Sequence, residues 1–357
     1  MTDHSPRPRA LSRLDELETE GLTSPEARPD LQAVAQAFRI RLTPEMRAAI
    51  ATPADPVAAQ FVPSAAELVT RPEELADPIG DDAHSPVPGL THRYPDRVIL
   101  HITKTCDVYC RFCFRRETVG ETGPLPQDQL DAALTYIAAT PVVREVILTG
   151  GDPLTLSQRR LAEVLTRLGA IAHVDQIRLH TRVPVVAPER ITPALCHALR
   201  AGRPTVWIVL HTNHAQELTP TARAAITRLV DHGIPLLSQT VLLAGVNDDV
   251  DSLEALMRAL TALRVKPYYL HHCDLARGTS HFRTTLAAGR TLMAELRRRV
   301  SGTMVPTYVL DIPGGHGKVA INADHVAPGP APGHWRITDR LGRVHDYADP
   351  LPSPETR

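Results

Sequence analysis

The stretch RVILHITKTCDVYCRFC, residues 97–113, decides the fold. Its first part, Arg97–Thr103, is apolar and rich in β-branched residues, and reads as a strand. Its second part places Cys106, Cys110 and Cys113 at C-x3-C-x2-C spacing on the loop that leaves that strand. Working outward, similar short runs recur at 145–149 (EVILT), 176–181 (QIRLHT), 205–211 (TVWIVLH), 236–243 (LLSQTVLL), 266–271 (KPYYLH) and 307–311 (TYVLD). They are spaced by about 30 residues, the length of one βα unit. Helical patterns fill the intervals. Over Pro126–Ala139, Leu130, Leu134, Ile137 and Ala138 share one face, with Pro126 suited to the first turn. Residues 157–168, 219–231 and 252–263 read the same way. This alternation predicts an α/β fold: a parallel sheet with helices outside, curled into a barrel or an open partial barrel. Chemistry in such folds gathers at the C-terminal ends of the strands, which is where the cysteine loop lies.

The flanks differ in character. Residues 1–90 are rich in Ala, Pro and Glu, with helical segments such as LQAVAQAFRI (31–40) and SAAELV (64–69), and read as a mainly helical extension. The stretch Asp77–Gly89, DPIGDDAHSPVPG, is turn-forming and marks a boundary. The barrel core is expected over 91–312, followed by a short C-terminal segment over 313–357.

Composition narrows the function classes. With 39 Lys+Arg against 40 Asp+Glu there is no positive excess to neutralise a phosphate backbone, so nucleic acid is not an expected partner. No apolar run approaches the roughly 20 residues that span a bilayer, so no membrane is expected either, and the N-terminus lacks the apolar stretch of a secretory signal. The chain has 5 cysteines, an odd number, and the clustering of Cys106, Cys110 and Cys113 argues against a disulfide framework and for a reducing, cytoplasmic setting. Only Lys104, Lys266 and Lys318 are lysines, in a chain that otherwise uses arginine. An arginine-rich codon bias explains the surface. It also makes a retained lysine notable, because arginine can neither lose its proton in a protein nor form a Schiff base.

Three thiolates on one loop can bind three irons of a [4Fe–4S] cluster and leave the fourth iron open for a cofactor or substrate. The competing readings are a zinc loop, completed by His211, His214 or Cys273, and a cluster of buried cysteines without metal. Placement directly after a first strand favours the iron–sulfur reading. Gly150-Gly151-Asp152-Pro153, after the second parallel run, is a second loop at the same end of the sheet.

The cysteine spacing resembles the signature of radical S-adenosylmethionine enzymes. From about Pro88 to Lys318 the chain further resembles the lysine 2,3-aminomutases, through HRYPDRVILHIT, CRFCFRR, LTGGDPL, RVPVVAPERITP, HTNHAQE, SQTVLLAGVND, PYYLHHCDLARGTSHFRT and VPTYVLDIPGGHGK. The resemblance implies a partial (β/α)6-type barrel of the radical SAM class. It also implies a [4Fe–4S] cluster on the three cysteines, S-adenosylmethionine contacted by Gly150, Gly151 and Asp152, and pyridoxal 5′-phosphate. Lys318, in PGGHGK, is then the Schiff-base lysine of the pyridoxal cofactor, and Arg93, Arg97 and Gln239 stand at the phosphate contacts. A phosphate-binding P-loop is set aside, since no Ser or Thr follows that lysine. Arg115 is implied to pair with the α-carboxylate of L-lysine, and Asp274 and Asp311 to receive its ε-ammonium. Taken singly, each of these is equally an ion-paired surface residue or a helix cap.

The activity implied is that of an isomerase: a 5′-deoxyadenosyl radical and pyridoxal phosphate together move the α-amino group of L-lysine to Cβ, giving β-lysine. A reducing electron donor such as flavodoxin or ferredoxin is implied as partner. Some clostridial-type relatives have further cysteines near the C-terminus that bind zinc between subunits. Here none follows Cys273, so no structural zinc is expected, and the choice between monomer and homo-oligomer stays open. His271 replaces an aromatic residue of that subgroup, as in the branch that makes (R)-β-lysine for elongation factor P. Asp311 and the PGGxGK loop point back to free lysine. An aminomutase for another amino acid and a non-catalytic iron–sulfur or zinc-binding protein are the remaining alternatives.

Overall fold

The computed structural model describes residues 9–349 apart from 323 and 340; the ends of the two expected flanking segments, 1–8 and 350–357, lie outside the described residues. Four short helices, α1 (Leu14–Thr19), α2 (Arg28–Ala37), α3 (Pro44–Ala49) and α4 (Pro56–Phe61), precede the sheet. The sheet then begins with β1 (Leu90–Tyr94) and β2 (Arg97–Thr103), an antiparallel pair. β3 (Glu145–Gly150), β4 (Gln176–Thr181), β5 (Thr205–His211), β6 (Leu236–Leu242), β7 (Lys266–His272) and β8 (Thr307–Asp311) follow, each parallel to the one before. β9 (Lys318–Ala320) returns antiparallel against β8, and the spatial order is the sequence order.

Between successive parallel strands lie α5 (Gln127–Ala138), α6 (Gln158–Gly169), α7 (Val183–Val186) with α8 (Pro193–Arg200), α9 (Pro220–Asp231), α10 (Val250–Ala262) and α11 (Leu286–Arg299). Their starts are written in the sequence. Ser157, Thr192, Thr219, Asp249 and Thr285 each precede a helix and accept a hydrogen bond from a backbone N–H of its first turn. Pro126 caps α5 from just outside the helix rather than sitting in its first turn.

Strand alternation builds both the core and the cavity. On β2, β3 and β4 the residues Val98, Leu100, Ile102, Val146, Leu148, Ile177 and Leu179 are buried against the apolar faces of α5 and α6 (Leu130, Leu134 and Ile137; Leu161, Leu165 and Leu168). The alternate positions, among them Arg97, Ile99, Glu145, Gln176, Arg178 and His180, face inward and line one cavity of about 590 Å³. The sheet therefore curls into a half-barrel around a space lined by both polar and apolar side chains. A separate antiparallel sheet, β10 (Val326–Pro328), β11 (His334–Thr338) and β12 (Val344–Ala348), follows β9.

Candidate active site

The cavity gathers residues from every part of the barrel. Cys106, Cys110 and Cys113, on the loop after β2, line it half-buried and unpaired. Gly150, Gly151 and Asp152, at the end of β3, line it too, as do Arg93 of β1, Arg97 of β2 and Gln239 of β6. Arg115, Asp274, Asp311 and Lys318 complete the wall. All the residues expected at the site thus face one space, although they are drawn from eight segments of the chain.

The β3 loop is pressed against the cysteine loop. Gly151 N–H donates to Thr103 O at 2.5 Å and Asp152 N–H to Thr105 O at 2.8 Å. A Cβ at Gly151 would stand 2.3 Å from Thr105 O, closer than backbone atoms allow, so only glycine fits. The Asp152 carboxylate accepts from Thr181 Oγ1 and Arg182 N–H, each at 2.7 Å, and from Leu154 N–H and Val183 N–H. It clamps the ends of β3 and β4 together; within the motif Gly151 and Asp152 are buried and Gly150 is half-buried.

Burial pushes all of the cysteine-loop thiols up. Cys113 reaches about 11, through burial and then the nearby Cys110, while Asp152 adds to burial at Cys106. At Cys110 burial is opposed by Arg182, whose Nη1 donates to Sγ at 2.8 Å. Thiols in this setting ionise only when a cationic centre takes them as ligands, which suits a metal cluster. Among the described residues, no three His, Cys, Asp or Glu side chains converge on one metal-ion position. Iron–sulfur ligation does not call for such a focus, because each sulfur binds a different iron.

The opposite wall carries the lysine. β9 pairs Lys318 directly across from Asp311 of β8, and Nζ donates to the Asp311 carboxylate. Lys318 N–H donates to Tyr94 Oη at 2.9 Å, fixing the start of the strand. His271 Nδ1 lies 3.4 Å from Asp311 Oδ2. Burial alone would raise the Asp311 carboxyl; the His271 hydrogen bond and the Lys318 ammonium hold it well below the usual carboxylate range. Asp274 behaves oppositely, pushed up to about 7 by burial and by the Asp311 charge. Two acids, Asp311 buried and Asp274 half-buried, share this corner, and among the described residues only Asp311 has a direct ion-pair partner.

The sequence did not single out His180, and offered His211 only as a zinc ligand and His271 only as a marker of branch. His180, His211 and His271 line the cavity, their Nε2 atoms buried without a hydrogen-bond partner among the described residues, and burial holds all three neutral. Arg93 Nε and Arg182 Nε are likewise unpartnered and buried. Unsatisfied buried donors and acceptors are costly, and a concentration of them around one cavity fits a space built for polar ligands. Arg182 is further held by Gln60 at 2.5 Å and by Glu217, and its guanidinium lies over the Phe61 ring. The polar residues at alternate positions of β4, Gln176, Arg178 and His180, were the available signal for His180. For Arg182 there was none, because Gln60 is 122 residues away.

Known proteins are similar to this chain in sequence. The family model described as the Radical SAM superfamily matches residues 100–260. An L-lysine 2,3-aminomutase of Fusobacterium nucleatum subsp. nucleatum is 42% identical over 340 residues, spanning 94% of this chain and 77% of the relative. One from Clostridium subterminale is 42% identical over 348 residues, 95% of this chain and 83% of the relative. A glutamate 2,3-aminomutase of Clostridioides difficile is 38% identical over 268 residues, 75% of this chain and 63% of its own.

Proposed function

Because this chain belongs to the lysine 2,3-aminomutase family, within the radical SAM superfamily, we propose that it is an isomerase interconverting L-lysine and β-lysine. In that reaction the Cα–N bond breaks and a Cβ–N bond forms, while one hydrogen moves from Cβ to Cα. The cluster and S-adenosylmethionine, when bound, supply a hydrogen-abstracting radical, and pyridoxal phosphate supplies the aldehyde that carries nitrogen.

This chain's residues divide the remaining work. Cys106, Cys110 and Cys113 hold the cluster, with Gly150 and Gly151 offering backbone to S-adenosylmethionine beside it; Asp152 keeps that loop in place. Lys318 is the amine that tethers the pyridoxal aldehyde. Arg93, Arg97 and Gln239 face the cavity where the phosphate needs donors. Arg115 pairs with the substrate α-carboxylate, and Asp274 and Asp311 take the ε-ammonium. The half-barrel would hold the reacting groups apart from oxygen and from other hydrogen donors.

One observation carries the substrate assignment: Asp274 and Asp311 line the same cavity, and burial, then the Asp311 charge, push the Asp274 carboxyl up to about 7. An ammonium entering that corner relieves the repulsion and is favoured over any neutral or anionic side chain. A glutamate substrate would add a third negative charge there. The test is to incubate anaerobically reconstituted protein with L-lysine, L-glutamate or L-arginine and assay for the β-isomers. Turnover of lysine alone is expected; turnover of glutamate in preference to lysine would overturn the assignment. An electron donor of the flavodoxin or ferredoxin kind completes the proposal; it would supply the electron that brings such a cluster to its active state.

A further inference from the structure

The turn-forming segment ahead of the barrel reaches the site. Gly80, at φ +68°, packs so closely on the lysine loop that a Cβ there would stand 2.7 Å from Gly315 Cα. Gly314 N–H donates to Pro78 O at 3.1 Å, and His84 Nδ1 lies 2.9 Å from Gly80 O. Clasped this way, the segment directs Asp81 at two arginines. Arg115 donates to Asp81 Oδ2 from Nε at 2.9 Å and from Nη2 at 2.7 Å, and Arg93 Nη2 donates to Oδ1 at 3.3 Å. The three side chains are 14%, 15% and 6% exposed for Asp81, Arg115 and Arg93.

Two roles are open to such a carboxylate: it can compete with a substrate carboxylate for Arg115, or anchor Arg115 from behind. Geometry separates them. Both arginines line the cavity and Asp81 does not. Asp81 also takes only the Nε–Nη2 edge of the guanidinium; Nη1 has no hydrogen-bond partner among the described residues. A fork held along one edge presents its other edge with little rotamer entropy left to lose.

We propose that Asp81 is a positioning residue that holds the Arg115 guanidinium edge-on toward the cavity, and through Arg93 ties the carboxylate subsite to the cofactor-phosphate subsite. The inference rests on the reading of Arg115 as the partner of the substrate α-carboxylate. Burial would raise the Asp81 carboxyl, and Arg115 instead holds it below the usual range, consistent with a permanently charged anchor.

The test compares L-lysine with 1,5-diaminopentane, which is lysine without its carboxylate. Affinities are read from the absorbance change of the bound pyridoxal, in cluster-loaded protein at saturating pyridoxal phosphate without S-adenosylmethionine. Wild-type protein is expected to prefer lysine; a wild type indifferent to the carboxylate would sink the Arg115 reading and this proposal with it. Given that preference, Asp81→Asn is expected to reduce it about tenfold, with diaminopentane affinity within about twofold of wild type. Asp81→Glu, which keeps the charge but displaces it by one methylene, is expected to lose preference in the same direction by a few-fold. A variant that weakened both ligands equally would mark a merely structural residue, and one that bound lysine more tightly would mark a competitor. Either result, or an unchanged preference in both variants, overturns the proposal.

Discussion

Asp311 faces Lys318 across two antiparallel strands and His271 along the sheet, so its charge is held by neighbours before any substrate arrives. Asp274 has no direct carboxylate partner among the described residues, and burial, then the Asp311 charge, raise it to about 7. Because only the ionised carboxylate attracts an ammonium, lysine affinity should be complete above that value and fall as pH drops through it. The expected profile is a KM for lysine that rises up to about tenfold per pH unit below about 7, and that flattens in Asp274→Asn. A KM independent of pH between about 6 and 8 would count against the role of Asp274. For Asp311→Asn, loss of a charged hydrogen-bond partner should lower kcat/KM for lysine by about 10- to 100-fold. Pyridoxal content should be unchanged, measured after release by alkali. Such residues were partly legible: Asp274 follows a strand, Asp311 ends one, Arg115 lies just past Cys113, and Lys318 closes the glycine-rich PGGHGK loop. Asp81 was not, since it sits in a turn-forming segment without periodic signal and its partner Arg115 lies 34 residues on.

At the scale of elements, the cysteine loop is held by contacts from both sides. On one side the β3 loop presses Gly151 against Thr105. Gly151→Ala cannot be accommodated without moving that backbone, and anaerobically purified variant should hold well under half of the wild-type iron, by colorimetric iron assay. On the other side, Glu67 of the N-terminal extension binds both Arg111 and Arg116, each within the cysteine loop or just past it, and all three side chains are at most 5% exposed. Removing a carboxylate that neutralises two buried guanidiniums is far more damaging than deleting a surface ion pair. Glu67→Ala is expected to destabilise the protein by about 3–5 kcal/mol, read as a lowered denaturant midpoint. A loss under about 1 kcal/mol, the size of an exposed pair, would show that water reaches this network.

Across the whole molecule, the repeating strand–helix pattern was plain because each parallel strand is a dense apolar run and most helices begin with a capping side chain. All seven expected runs form adjacent parallel strands, in the order of the sequence. The antiparallel edges β1 and β9 were harder to see, since LTHRY and KVA are short and owe their pairing to neighbours rather than to propensity. The inward faces of the strands were harder still. Residues such as Glu145, Arg178 and His180 break the hydrophobic pattern, and only closure of the half-barrel around a common space explains their presence.

That common space makes one demand above all: the thiolate-bound cluster and the pyridoxal-bearing amine must belong to the same cavity of the same chain. Borohydride reduction of anaerobically purified protein, followed by peptide mass mapping and iron analysis, addresses it directly. The expected result is a pyridoxyl group on Lys318 in protein carrying about four irons per chain. A pyridoxyl group on Lys104 or Lys266 instead, or iron-loaded protein with no lysine modified, would contradict the account.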